Sequence, residues 1–435
     1  MTTTAVHPYI ESLLAGTREL PRSAQAWLDE RRGAALERAN ALSVPTTRDE
    51  EWRFTDLSPL TRVALKPAGA PGDVAVGLLE THLVAEAGER LVFVDGVFAP
   101  ALSHVHANEP EARVRTLADA LRTDGERLEP YLARLALSED NVFVALNTAH
   151  LRDGAVVIIP QNRACRKPVH VLHIATQAGT VTYPRCIVVV EPGAECTVIE
   201  EHLALADAAY LSNAVTEIAV APNARLRHVK LQRESRNAFH IARCAVMLAN
   251  NSFYASQSIS LGARLSRYDL SVSFNGEGAE AQVDGLALIS GRQLADTHSL
   301  LDHAQPNCRS QQLHKTIVGG GAHAVFNGKI FVRPGAQLTD SSQQSRNLLL
   351  SDKATVDAKP QLEIFADDVK CAHGATVGQL DAEQLFYLRS RGLPDAVARN
   401  LLTYAFGASV IQRIPVPSVV ARLERAVMAQ TGMAS

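Results

Sequence analysis

The chain has 435 residues, 46% hydrophobic and 20% charged, with a mean hydropathy of −0.02. At roughly 150 residues per domain, that length holds about three domains or one elongated repeat body. The composition supports a sizeable core, so a single small module and wholesale disorder are both excluded. The 43 Lys and Arg residues against 46 Asp and Glu leave a net charge of −3, too little for a global pull toward nucleic acid or an anionic membrane.

Aliphatic runs such as Val156 to Ile159 and Cys186 to Val190 are far shorter than the ~20 residues of a membrane-spanning helix. The opening MTTTAVHPYIESLLAG places Glu11 where a secretory leader would be apolar, with no basic residue ahead of it, which predicts a cytoplasmic chain. The six cysteines (Cys165, Cys186, Cys196, Cys244, Cys308 and Cys371) form no C-x-x-C pair, so free thiols are expected rather than disulfides or a zinc ribbon.

In chain order, residues 1–153 read as a helical region with one short strand pair. Trp27, Ala34, Ala35, Ala39 and Leu42 recur near helical spacing and predict an amphipathic helix ending before Pro45. LVFVDGVF fits a hairpin turning at Asp95 and Gly96.

Residues 154–366 change to short Val-, Ile- and Leu-rich runs between similar turns: PGAEC, PNARL, NNSFY, EGAEA, PNCRS, GGAHA, PGAQL. Markers at the third residue of each turn, with weaker ones added, run from 180 to 354 at a mean interval of about 14.5 residues. A strand of about five residues and a turn occupy half that unit, so two units make one coil of a β-solenoid, each coil burying its inward residues only against its neighbours. The handedness of parallel crossovers makes the expected product a right-handed parallel β-helix. An ordinary two-sheet sandwich with long loops is the competing reading.

Residues 367–435 return to a helical pattern. Asp381 and Gln384 predict a capped helix to about Ser390, ended by Gly392 and Pro394. Val397, Leu401, Tyr404, Ala405, Ala408 and Ile411 mark one face of a second helix, and a third follows Pro417. Such helices could cap the solenoid or dock a partner. The predicted fold is therefore mainly β, a parallel β-helix flanked by N- and C-terminal helical regions.

The sequence has no G-x-x-x-x-G-K-[ST] phosphate loop and no G-x-S-x-G elbow. The Gly319–Gly321 run precedes no helical pattern and reads as a tight turn. His298, Asp302, His303, His314 and His323 could assemble a cluster across coils, although a solvated face is the expected reading. Cys371-Ala372-His373 is the most pointed local pattern. In an extended segment, residues i and i+2 share a face about 6.6 Å apart, so a thiolate and an imidazole could address one metal or cluster. Lys370 and a protonated His373 could lower the thiol pKa. Two ligands do not close a site, so others would come from another chain, and a buried structural Cys and His is the alternative.

FADDVKCAHGATVGQLDAEQLFYLRSRG (365 to 392) resembles the C-terminal signature of the SufD branch of the SufB/SufD family, part of the SUF iron-sulfur cluster assembly machinery. DEEWRFTDLSPL (49 to 60), LNTAHLRDGAVVIIP (146 to 160) and FNGKIFVRPGAQLTDSSQQSRNLLLS (326 to 351) extend the resemblance over essentially the whole chain. It implies the same three-part fold and a non-catalytic scaffold in a SufB-SufC-SufD complex. The partners would be a SufB paralogue, paired through the β-helix, and the SufC ATPase on the C-terminal helices, which would explain the missing phosphate loop. It also implies that ATP-driven motion of SufC is coupled to cluster formation at the SufB-SufD interface. His373 and Cys371 match positions implicated in cluster assembly, His373 the more strongly. Phe386, Tyr387, Arg389 and Arg391 supply interface-type anchors for SufC docking. The isolated chain would hold no cofactor stably, and an iron-sulfur cluster would form transiently with SufB. The sequence leaves open a reduced flavin in the complex and a homodimer when SufB is absent. The competing class, a β-helix enzyme acting on polysaccharide, would call for secretion and paired carboxylates, neither of which is evident here.

Overall fold

A computed structural model of the chain describes residues 8–106 and 110–430. The first seven residues, part of the stretch read for a leader, lie outside the described residues. Two long parallel sheets face each other, and successive strands alternate between them. One sheet runs from Arg113–Thr116 and Ala155–Ile159 through Leu211–Val220, Phe239–Leu248, Leu265–Phe274, Leu294–His303 and His323–Val332 to Thr355–Ile364. We call it the first sheet. The second runs from Glu89–Val94 and Val169–Ala175 through Glu195–Ala204, Arg225–Arg233, Phe253–Ser260, Glu280–Ile289, Arg309–Val318 and Asp340–Leu349 to Lys370–Gly378. Phe239 lies opposite Leu265, and His323 opposite Thr355, so one coil takes about 26 to 32 residues, two of the predicted units. The chain is a two-sheet parallel β-solenoid rather than a sandwich.

The shared turns have a local cause. Gly193, Asn223, Asn251, Gly278 and Asn307 all sit at φ between 53° and 69°, the left-handed region that Gly and Asn tolerate best. The residue after each is small and buried: Ala194, Ala224, Ser252, Ala279 and Cys308. A larger side chain would not fit the inside corner. The turns also stack, because each left-handed residue donates its N–H to a carbonyl in the next turn: Gly193 to Pro222, Asn223 to Asn250, Asn251 to Glu277, Gly278 to Pro306, and Asn307 to Gln337. Gly320, at φ 63°, turns the Gly319–Gly321 run in the same way.

The interior between the sheets has two halves. Beside these turns it is apolar, with Val188, Val198, Ile218, Leu226, Val246, Leu248, Val272 and Leu301 in one cluster. Toward the other edge it is polar. Glu200 lies opposite Lys230, Lys230 opposite Ser258, Ser258 opposite Gly285, and Gly285 opposite His314. A Cβ at Gly285 would strike the His314 ring, so this glycine makes room for a buried imidazole. His303 belongs to the interior as well, stacked on Phe274 at 4.0 Å and bonded to Ser310 Oγ at 2.9 Å.

The flanking regions cover the outer faces. The N-terminal region packs on the first sheet around the buried pair Arg185–Glu217, both on that sheet, 2.5 Å apart and fully enclosed, and Arg185 also donates to Asn147 of helix Val142–Ala149 at 2.9 Å. Glu217 also accepts the N–H groups of Ala133, Arg134, Leu135 and Ala136 at 2.8 to 3.0 Å. Helix Ala26–Ala41 ends before Pro45 as expected, but buries Leu28 with Ala35 and Ala39, leaving Ala34 exposed. Asp95 (φ 49°) and Gly96 (φ 82°) make the predicted hairpin turn. Its first strand, Glu89–Val94, also pairs with Val169–Ala175 and so belongs to the solenoid's second sheet.

Helices Asp395–Ile411 and Pro417–Gln430 do not cap the solenoid end. They lie on the outer face of the second sheet, where Val410, Ile411, Ile414, Val419 and Leu423 meet Val229, Leu231, Leu286 and Ile317. Arg422 bonds Glu201 at 2.7 Å and Arg413 bonds Asp284 at 2.8 Å. Burial alone would raise the Glu201 carboxyl, but His170, Arg233 and Arg422 hold it at about 2. The predicted face of Asp395–Ile411 is rotated: Leu401 and Ala405 are exposed, while Thr403 and Gly407 are buried. Close approach selects that face, since a Cβ at Gly407 would already touch Ile317 and Leu286. The expected boundary at 366 also moves, because Lys370–Gly378 pairs with Asp340–Leu349 as a further solenoid strand. Among the described residues, no helix is long and apolar enough to cross a membrane.

Two outcomes follow for stability. Glu217→Ala leaves Arg185 buried without its carboxylate and strips four N–H groups of their acceptor, so unfolding free energy should fall by about 3 to 5 kcal/mol. A loss below about 1 kcal/mol in urea denaturation would contradict this role. Burial pushes the imidazoles of His150 and His303 down to about 4 and that of His314 to about 3. They are therefore neutral in the fold but protonate near pH 6.5 in the unfolded chain. Their contribution is intact above pH 6.5 and drains away as pH falls toward 4, at up to about 1.4 kcal/mol per histidine per pH unit. Denaturation midpoints at pH 7.5, 6 and 5 should fall in that order, and His314→Gln should flatten the slope.

Candidate functional site

Parallel register fixes which way the residues of the last strand face. In Lys370–Gly378, Cys371 lies opposite Ser341, itself opposite Ser310, and His373 lies opposite Gln343, itself opposite Gln312. Ser310 and Ser341 are buried and bonded to each other at 2.6 Å, and Gln343 Nε2 donates to Gln312 Oε1 at 3.3 Å. Cys371 and His373 therefore stand on two interior columns where these reach the end of the solenoid. They belong to its last coil, not to the C-terminal helical region.

Among the described residues, Lys370–Gly378 and Thr355–Ile364 each end their sheet, with a strand on one side only. Cys371 is half-buried against the cluster of Ile330, Val332, Ala336 and Ala366, whereas His373 is exposed. Around them Leu338, Ile364, Phe365 and Val377 expose 39 to 59% of their surface, an apolar rim on an unpaired edge. The thiol is not activated in the way the sequence led one to expect. Burial and then the Asp340 carboxylate push it up, and the neighbouring cations do not reverse this. A metal would have to displace that proton.

The other expected histidines do not come together. His303 and His314 are enclosed in the interior, and His323 pairs with Asp357 at 2.7 Å. Asp302 holds Arg333 through both carboxylate oxygens at 2.9 and 2.7 Å. His298 is largely buried on the outside of the first sheet, so a solvated face describes it no better. Burial would lower it, but Asp296 and Glu51 raise it to about 9. Glu51 belongs to DEEWRFTDLSPL, which packs against Arg267 and Asp296 of the first sheet. Trp52 lies over the Arg267 guanidinium at 3.9 Å, Arg267 donates to the Glu51 carbonyl at 2.6 Å, and Thr55 donates to Asp296 at 2.6 Å.

Helix Ala382–Ser390 has no buried residue. The Asp381 carboxylate caps it, accepting from the N–H groups of Glu383 and Gln384. Gly392, at φ 91°, closes it with Gly392 N–H to Arg389 and Leu393 N–H to Leu388, a Schellman ending. Phe386 and Tyr387 are 74% and 56% exposed, and Arg391 lies over the Tyr387 ring at 5.2 Å. Arg389 reaches Asp395 at 3.5 Å.

One group escaped the sequence reading. Among the described residues, His202, Glu234 and His240 are brought within reach of a single ion inside the solenoid. For Glu234 the signal existed in HVKLQRE, where His228, Lys230, Gln232 and Glu234 alternate with Val229, Leu231 and Arg233. Such alternation normally marks a solvent face. Here the alternate residues, Val229 and Leu231, lie under the C-terminal helices, so the polar set points inward.

Comparison with known proteins accords with this geometry. Residues 173–406 match the SufBD core domain of SUF system FeS cluster assembly, and residues 4–171 match the SufBD protein N-terminal region. The chain is 38% identical to an iron-sulfur cluster assembly SufBD family protein of Synechocystis, over 97% of this chain and 94% of the relative. It is 34% identical to the iron-sulfur cluster assembly protein SufD of Escherichia coli K12, over 92% and 90%. A chloroplastic protein of Arabidopsis thaliana, ABCI7, is 31% identical over 85% and 79%. The solenoid, its flanking regions and these matches together establish that the chain belongs to the SufBD family of SUF system iron-sulfur cluster assembly proteins.

Proposed function

We propose that this chain is a SufD-like, non-catalytic scaffold subunit that pairs with a SufB paralogue across the open end of its solenoid. Cys371 and His373 contribute part of the coordination shell of a nascent iron-sulfur cluster, and the SufC ATPase docks on the helix Ala382–Ser390. ATP-driven motion of that ATPase is transmitted through the helices packed on the second sheet and alters the shared interface. The observation that carries this reading is an incomplete ligand set on an uncovered edge. A thiol and an imidazole stand on the last strand, rimmed by exposed apolar side chains. Two protein ligands cannot close a shell, so the rest must come from whatever covers the edge, and the cluster is held only transiently. The relatives' names, which place SufD in iron-sulfur cluster assembly, support the same assignment.

The docking helix rests on a parallel argument. A helix that buries nothing in its own chain and exposes Phe386 and Tyr387 together with Arg389 and Arg391 has the residue types that dominate binding energy at interfaces.

His373→Ala separates a ligand from a packing residue. The imidazole is exposed, so melting temperature, expression and subunit association should be nearly unchanged, whereas a packed histidine would cost roughly 1 to 3 kcal/mol. Cluster-forming activity in cells that depend on this pathway should be strongly reduced. Full maturation of iron-sulfur enzymes, or failure to fold, would remove His373 from the site. For the helix, Tyr387→Ala combined with Arg391→Glu should weaken ATPase retention in co-purification while the circular dichroism spectrum is kept. Undiminished retention would place the dock elsewhere.

A further inference from the structure

We infer that the solenoid interior carries a divalent transition-metal site built from His202, Glu234 and His240, separate from the cluster-assembly edge and independent of the scaffold reading. His202 comes from the second sheet, His240 from the first, and Glu234 from the turn that joins them in the next coil. Their relative exposures are 1%, 6% and 1%, and one donor atom from each lies within 4.8 Å of the others. Donors about 2.1 Å from a shared ion would sit about 3 to 3.5 Å apart, so a small side-chain adjustment closes the set. Two imidazoles and a carboxylate suit Zn²⁺ or Fe²⁺ rather than Ca²⁺ or Mg²⁺, which take oxygen.

Orphaned donors give an independent sign. Among the described residues, neither nitrogen of His240 nor Nδ1 of His202 finds a hydrogen-bond partner, and all three atoms are buried. His240 Nδ1 nonetheless lies 2.7 Å from Glu234 Oε2. An ion between them would spread that contact to the about 3 to 3.5 Å expected of two ligands, which is the small adjustment the site requires. Leaving buried polar atoms unpaired is costly, and a bound cation would satisfy them.

The surroundings are those of ligands held in place. His202 Nε2 contacts Glu200 Oε1 at 2.9 Å. With the proton on Nε2 given to Glu200, the Nδ1 lone pair is left for a metal, the carboxylate-histidine arrangement common behind metal ligands. Lys230 donates to Glu200 at 3.0 Å and its ammonium also stands 3.1 Å from His202 Nε2, so the carboxylate offsets that charge where it meets the ligand ring. Gln232 takes the N–H of Gly262 and the hydroxyl of Ser260 on its oxygen, which turns its Nε2 toward Glu234 at 3.1 Å. A Cβ at Gly262 would strike the Glu234 backbone, so the next coil presses directly on the ligand-bearing turn. A cavity of about 10 Å³, room for one small ion or water, is lined by His173, His202, Ser212 and Glu234 beside the group. Five strands separate the His202 strand from Lys370–Gly378 in the sheet, so the two sites lie about 29 Å apart at ~4.8 Å per step.

The test uses full-length protein carrying Cys371→Ser and His373→Ala, which removes the exposed pair. After stripping with EDTA, it is titrated with Zn²⁺ alone and, separately, with Co²⁺ alone. One equivalent per chain should bind, melting temperature should rise with Zn²⁺, and the Co²⁺ form should show visible absorption without thiolate charge transfer. Glu234→Gln in the same background should weaken Zn²⁺ binding at least tenfold with unchanged circular dichroism. Gln232→Ala should weaken it about tenfold or more, the effect expected of an outer-shell partner. Binding below one equivalent, a thiolate band, or a folded Glu234→Gln variant that binds as well as its parent would overturn the site. Should Glu234→Gln not fold, the parent decides: no Zn²⁺-dependent melting shift overturns it equally.

Discussion

Parallel stacking obliges each coil to give its backbone N–H and C=O groups to the next, and the rest of the molecule is arranged around that requirement. Within the stack it is met strand by strand and at the turns, where the left-handed Gly and Asn residues pass one N–H along. At the ends it cannot be met. An uncovered last strand is a template for another chain, and folds normally blunt or cover such edges. Here the C-terminal helices, which could have served, are used on the outer face of the second sheet instead. The edge that carries Cys371 and His373 stays open.

Using the helices there has a second effect, on the interior. With N-terminal helices over the first sheet and C-terminal helices over the second, much of both outer faces is buried up to the last coils, and the solenoid has more apolar surface to cover than one core requires. The interior can therefore hold a polar half without forfeiting a sizeable core. Its side chains partner one another across coils, as Glu200 does with Lys230 and Thr216, and Ser299 with Gln312. Networks of this sort favour one register, because a slip by one residue would turn the polar set outward. The histidines that remain without partners stand out against that background.

Much of the architecture is legible in the order of residues alone. Turn residues repeat because Gly and Asn accept the left-handed corner most readily and small residues fit behind it, so the period can be counted, and with it the solenoid. The hairpin at Asp95 and Gly96, the helix closed by Gly392 and the adjacency of Cys371 and His373 are likewise local, each decided within a few residues. The long shared stretches carry the family resemblance, and one of them, DEEWRFTDLSPL, clamps Arg267.

What the sequence could not decide is what depends on which surfaces meet. Alternation in HVKLQRE is the same whether the polar side faces water or the interior, and only the helices lying over Val229 and Leu231 settle it. The buried face of Asp395–Ile411 turns on close approach at Gly407, which hydrophobic spacing does not contain. That Cys371 is half-buried, its thiol pKa raised by burial and then by Asp340, follows from neighbouring strands thirty to forty residues away in the chain. Assembly of His202, Glu234 and His240 needs two sheets and a turn in register. The sequence by itself determined the local conformations and their period, because those depend on residues in covalent succession. Tertiary structure alone decided inside from outside and which distant donors meet, because those depend on packing between segments that no linear pattern orders.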